Sequence, residues 1–168
     1  MFAKTFIQGV GILFCALSLV SCTAPARTVR ELRTAPSGIS KQAYTIDREF
    51  SRVVSDVKRK SAECLEFGYT NTTQNGIHYS QNTFVYHPKV KTISSGKAEM
   101  TMQWERFPHS SSDPAGGYYV FLTDIERDGS NKTRLTQYGP SIFNAWQPIF
   151  DAVRGWGEGK NIPCPECP

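Results

Sequence analysis

Two stretches of the chain repeat apolar residues at helical spacing, and the long middle alternates them one by one. Ile46, Phe50, Val53, Val54, Val57, Ser61, Cys64 and Leu65 fall on one side of a helix. Its other side takes Asp47, Arg48, Arg52, Asp56, Arg59, Lys60 and Glu63, so the segment is amphipathic. Thr45 is the expected N-cap, Asp47 suits the first-turn dipole, and the helix runs about five turns to an end near Glu66 and Gly68. Lys58-Arg59-Lys60 lies inside it, but three consecutive helical residues point in different directions and make a solvated face rather than a basic patch.

From Phe67 the period becomes that of strands. Five are predicted: Phe67–Thr73, Gly76–His87, one within Val90–Phe107, Tyr118–Arg127 and Lys132–Tyr138, with Pro108–Gly117 a loop and Asp128-Gly129 a turn. The clearest alternation sets Ala98, Met100, Met102 and Trp104 against Glu99, Thr101, Gln103 and Glu105. One face is thus buried and the other wet, which predicts a one-sided antiparallel sheet. After Gly139-Pro140 the helical period returns with Ile142, Trp146, Ile149, Phe150, Val153 and Trp156, and Ser141 is available as N-cap. Pro148 predicts a kink or two short helices, and Gly155, Gly157 and Gly159 close the element. The fold class expected is α+β: an antiparallel sheet of about five strands with an N-terminal and a C-terminal helix packed on one face, as one domain over residues 44–168.

The leader has another character. Lys4 is the one charge in Met1–Phe6, and Ile7–Val20 is an apolar run broken by Gln8, Gly9, Gly11 and Ser18, the layout of an export signal too short to persist as a membrane span. Its end, Leu19-Val20-Ser21-Cys22, resembles the lipobox of bacterial lipoproteins. The resemblance implies removal of residues 1–21 and acylation of Cys22 on its thiol and new amino terminus, with several chains anchoring stably where one binds weakly. The membrane, reached through that lipid, is then a partner. The family's inner-membrane retention signal has Asp where this chain has Thr23, so the resemblance also implies the outer membrane, facing the periplasm, in a source with two membranes.

Residues 22–43, with Pro25, Pro36, Gly38 and few large apolar side chains, read as a lipidated flexible tether with a reach of about 25 Å. Arg27, Arg30 and Arg33 recur close to the anchor, either touching anionic headgroups or solubilising a linker. The element order downstream resembles the helix-grip and related α+β domains of envelope lipoproteins, the BamC-like ones among them, over Tyr44–Trp156. That resemblance implies a sheet curved round the last helix beside an apolar groove, and carries no residue roles.

Charge divides by position. Residues 23–43 hold four cations against Glu31, whereas from Tyr44 onward fourteen Lys and Arg balance fourteen Asp and Glu. A neutral domain lacks the basic face a nucleic-acid binder uses to replace counterions, so no nucleic-acid partner is expected.

Of five cysteines, Cys15 leaves with the signal and Cys22 is consumed by lipid, so Cys64, Cys164 and Cys167 remain. In an oxidising compartment Cys64, at the inward end of the first helix, is expected to pair with Cys164 on the tail freed by the glycine-rich exit, or else with Cys167. Cys164-Pro165-Glu166-Cys167 has C-x-x-C spacing without the strand-to-helix setting of a redox enzyme.

No catalytic residue, metal site or cofactor emerges. His78, His87 and His109 lack ligand spacing, and Asp124, Glu126 and Asp128 read as a solvent-facing hairpin end rather than a calcium site. Trp104, Trp146, Trp156, Tyr118 and Tyr119 are explained by core packing, with a ligand site the alternative. The function expected is that of a noncatalytic envelope lipoprotein binding another envelope component, protein or cell-wall polymer. The alternative is a carrier or sensor of a small apolar ligand in a groove between sheet and helix.

Overall fold

The computed structural model describes residues 25–35, 37–141 and 145–166. The signal segment, Cys22, Ile142 and Cys167 lie outside the described residues, as does the side chain of His78. Among the described residues, three helices and six strands follow in the order α1 (Val29–Thr34), β1 (Ile39–Ile46), α2 (Phe50–Cys64), β2 (Phe67–Asn75), β3 (His78–Ser94), β4 (Lys97–Phe107), β5 (Tyr118–Arg127), β6 (Thr133–Pro140) and α3 (Gln147–Gly157). The strands form one antiparallel sheet in the order β1-β6-β5-β4-β3-β2. Among the described residues no helix is long and apolar enough to cross a membrane.

The core grows from the two periodicities. Val53, Val57 and Leu65 share a buried cluster with Ile149, Phe150, Val153 and Trp156 and with Ala98, Met100, Met102, Phe121, Ile125 and Leu135 of the sheet. Each fully buried side chain of this size stabilises the fold by about 1.5–3 kcal/mol relative to exposure. Cys64, at the last turn of α2, is bonded to Cys164 with the sulfurs 2.04 Å apart, closing a loop across 100 positions. The tail between α3 and Cys164 lies against the core, where Trp156 Nε1 donates to the Ile162 carbonyl at 3.2 Å.

The sheet has six strands rather than five, and the sixth comes from the stretch expected as tether. Ile39–Ile46 pairs along its whole length with β6, from Ile39 opposite Pro140 to Ile46 opposite Thr133. Upstream, α1 starts at the N-cap Thr28, whose Oγ1 accepts from the Glu31 amide at 3.1 Å, while Glu31 Oε2 reaches back to accept from the Arg27 amide, one residue before the cap, at 2.7 Å. Leu32, 2 % exposed, packs on Leu122 and Tyr138. These side chains alternate away from Phe121, so α1 covers part of the face expected to be wet.

Three boundaries move for related reasons. Thr45 and Ile46 finish β1, so α2 begins at Phe50 with Glu49 at its N-cap. β3 runs unbroken through Pro88, because β2 pairs only as far as Tyr86 and the missing N–H therefore faces no strand. Pro148 sits in the first turn of α3, where its missing N–H costs nothing, instead of kinking a longer helix.

Candidate functional site

Where β4 meets β5, the pairing slips by one residue between Met102 and Gln103, leaving Val120 as the extra residue of a bulge. The bulge lies next to the chain's first described residues. Tyr119 donates its amide to the Ala26 carbonyl at 2.8 Å, an isolated antiparallel bridge that holds the segment before α1 against the start of β5. A second tie, the Ser141 amide to the Gly38 carbonyl at 3.0 Å, holds the other side of α1 to the end of β6.

Between these ties lies a groove of about 530 Å³. Ala26, Leu32, Ala35, Ile39, Val120 and Pro140 line it with apolar surface, and Trp104 and Tyr119 contribute aromatic rings. Arg27 and Glu31 are the charged residues of its lining. Arg27 also donates to the Ser112 carbonyl at 3.0 Å, tying the groove's edge to the 108–117 loop. Gly117 lets that loop close up. Its φ is +83°, and a Cβ there would stand 2.1 Å from the Trp104 carbonyl oxygen, so only glycine fits.

Trp104 joins the groove to a row of rings across four strands. Its ring lies 5.4 Å from Tyr118 and 5.3 Å from Phe84, which stacks at 5.2 Å on Tyr69. Tyr86 stacks at 4.4 Å on Phe67 and lies 6.3 Å from Trp146. Trp146 and Trp156 belong to the packed core, Trp104 packs against that core and also lines the groove, and Tyr119 lines the groove beside Leu32.

The opposite side of α1 is held by charge. Arg33 reaches Asp124 through Nε at 3.0 Å and Nη2 at 2.5 Å, and Glu99 through Nη2 at 2.5 Å. The hydrogen bonds that the guanidinium donates to Asp124 first, and to Glu99, push its pKa up against the opposing effect of burial. Asp124 is only 7 % exposed. It is therefore a buried partner of α1 rather than part of a solvent-facing hairpin end, because α1 arrives from a segment that local spacing around Asp124 does not reveal. Glu126 pairs with Lys97 at 2.8 Å, and that bond holds its carboxyl below the usual range.

His87 Nε2 lies 3.3 Å from Glu105, and His109 sits on the loop with its ring 4.4 Å from that of Phe107. Among the described residues no group of three His, Cys, Asp or Glu side chains is placed to hold a metal ion. Asp113 accepts from the Ser110 amide at 2.8 Å and from the Tyr118 hydroxyl at 3.1 Å, which lowers its pKa, the Ser110 bond most, and braces the loop beside the groove. The resemblance implied an apolar groove beside the last helix, whereas the groove found here is walled by residues 25–39 and includes no residue of α3; Trp104 and Tyr119, two of the aromatic residues weighed for a ligand site, do line it. Thr28-Val29-Arg30-Glu31, a capping-box signature, was the signal that a folded element precedes β1.

These features define an α+β domain with a six-stranded antiparallel sheet and a groove at one end of its central strands. No family model matches the chain, and no curated protein matches it in sequence. Among solved structures it is similar to hypothetical protein jhp0584 from Helicobacter pylori, at a TM-score of 0.47 and 8% identity, covering 94% of this chain and 98% of that one. DynU16, from the dynemicin biosynthetic locus, aligns at a TM-score of 0.31 and 11% identity over 72% of this chain and 44% of its own.

Proposed function

We propose that this chain is a lipid-anchored envelope protein that binds rather than catalyses, and that it holds a small apolar or amphipathic molecule in the groove between residues 25–39 and the β4–β5 bulge. The observation that carries the reading is the groove itself. Its volume of about 530 Å³ falls in the range of small-molecule sites, and its mainly apolar wall carries Arg27 and Glu31 as the charges available to a polar headgroup. The reading takes α2 and α3 as packed together on one face of the sheet, with α1 on the other forming the groove's wall. It includes acylation of Cys22, removal of residues 1–21 and, in a source with two membranes, an outer-membrane position facing the periplasm; it invokes no cofactor.

Titration with a fluorescent fatty acid tests the ligand class. Saturable one-to-one binding is expected, lost on Ala35→Trp or Val120→Trp, each of which fills the groove, and kept in Thr45→Trp on β1. Binding that ignores both filling variants refutes the assignment. A second reading, an envelope protein or cell-wall polymer as partner, is favoured by one observation: Ile77 and Tyr79 are exposed at a hairpin tip, at 97% and 65%.

A further inference from the structure

That hairpin projects from the fold. Thr83 stands opposite Phe107, the last residue of β4, so the pairs from Asn71–Asn82 to Asn75–His78 have no third strand. The ribbon beyond Phe107 is five residues long on each arm, about 17 Å at strand rise. Phe67–Pro88 contains no Asp, Glu, Lys or Arg, although free sheet edges are ordinarily guarded by charge. At its tip Ile77 is 97% exposed, with Tyr79 at 65% just behind it.

The antiparallel register decides where this tip points. It leaves the sheet at the end where β4 finishes, β5 starts and β6 finishes, the end where Ala26 is bridged to Tyr119. Tyr119 stands opposite Gln103, so along the strands the tip lies nine residues past the level of Ala26, about 30 Å. Cys22 is four residues before Ala26 and reaches at most about 14 Å from it. The ribbon therefore outreaches the leash: in a domain anchored through Cys22 with this end of the sheet turned toward the surface, the hairpin tip reaches the bilayer.

We infer that the β2–β3 hairpin tip is a membrane-contact element, with Ile77 seated at the boundary of headgroups and acyl chains and Tyr79 at headgroup depth. This rests on the anchor reading above. An aliphatic side chain with an amphipathic aromatic ring two residues on, in a ribbon without Asp, Glu, Lys or Arg, matches the chemistry of the interface, where Tyr is enriched and charge is costly. The two contacts together fix the domain's orientation, with the groove's end turned toward the lipid.

The test uses the full acylated chain in vesicles of phosphatidylethanolamine and phosphatidylglycerol. Ile77→Cys, in a Cys167→Ser background, carries a nitroxide whose collisions with oxygen and with a water-soluble nickel chelate are compared. Ser95→Cys, in the β3–β4 turn at the opposite end, is the reference. The oxygen-to-nickel ratio is expected to be several-fold higher at 77 than at 95. Equal, water-like ratios on protein that floats with the vesicles overturn the contact and leave the anchor standing. Dipolar broadening between labels at 77 overturns it in favour of a second copy paired along β2. Protein that fails to float, with Cys22 unmodified by mass, overturns the anchor and this contact with it.

Discussion

Arg33→Ala separates a folded α1 from a solvated linker by a wide margin. The side chains that Arg33 holds, Asp124 and Glu99, keep 10% and 19% of their exposure, and removing the cation leaves two carboxylates facing each other in that setting. Hydrogen bonds to charged groups contribute about 1.5–3 kcal/mol, and breaking a fully buried pair costs about 3–5 kcal/mol. Arg33 itself retains 31% exposure, so solvent screening trims the effect to about 2–3 kcal/mol. In urea this moves the midpoint down by roughly 1 M. Neutralising the deeper carboxylate in Arg33→Ala/Asp124→Asn recovers part of the loss, since the variant no longer sets two charges side by side. Arg30→Ala, on the exposed side of the same helix, stays within about 0.5 kcal/mol of the parent. An Arg33→Ala midpoint indistinguishable from that of Arg30→Ala refutes the reasoning.

Further outcomes follow from other contacts. Replacing Cys64 and Cys164 together with Ala lowers stability by up to about 4–5 kcal/mol in the chain-entropy model for a loop of this length, and reductant lowers the parent but not the variant. Gly117→Ala drives a methyl into the Trp104 carbonyl at a strained φ and costs about 2–4 kcal/mol, read by thermal unfolding, with loss of groove binding alongside. Glu126, depressed by Lys97, adds stability above the ordinary glutamate value of about 4.3 that is lost as pH falls through its lower folded value. Lys97→Met is therefore expected to flatten the acid limb of a pH–stability curve, and an unchanged limb counts against the pair.

Legibility followed the range of the interaction that decides each element. α2 and the buried side of β4 rest on side chains a few positions apart, and their periodicity reads directly: Val53 and Val57, Ala98, Met100 and Met102 all lie in the core. β1 is a case of the opposite kind. Lys41, Ala43 and Thr45 are exposed along it, its inward residues include Gln42, and nothing in its own pattern demands a strand. It is one because β6 offers a partner ninety residues away, and that pairing takes Thr45 and Ile46 from the helix that local periodicity assigned them to. α1, only six residues long, is likewise held by its Thr28 cap and by Leu32, Leu122 and Arg33 rather than by propensity.

The place of the groove was illegible for the same reason in stronger form. Its walls come from residues 25–39, from Trp104, from the Tyr119-Val120 bulge and from Pro140, none of which carries a ligand-binding motif. What creates the space is a one-residue slip between β4 and β5 combined with a leading segment tied at Ala26 and Gly38. Both are consequences of pairing across the sheet, so no window of sequence contains them. The aromatic residues did hold a partial signal: Trp146 and Trp156 are buried in the core, and Trp104, packed at its edge, joins a ring row on one side and the groove on the other. Folding of residues 26–35 onto β5 also replaces a tether of about 25 Å with one of at most about 14 Å beyond Ala26. If Cys22 is acylated as proposed, a domain on so short a leash does not tumble freely above the bilayer, and the position of the groove at that end of the sheet becomes part of how the proposed ligand reaches it.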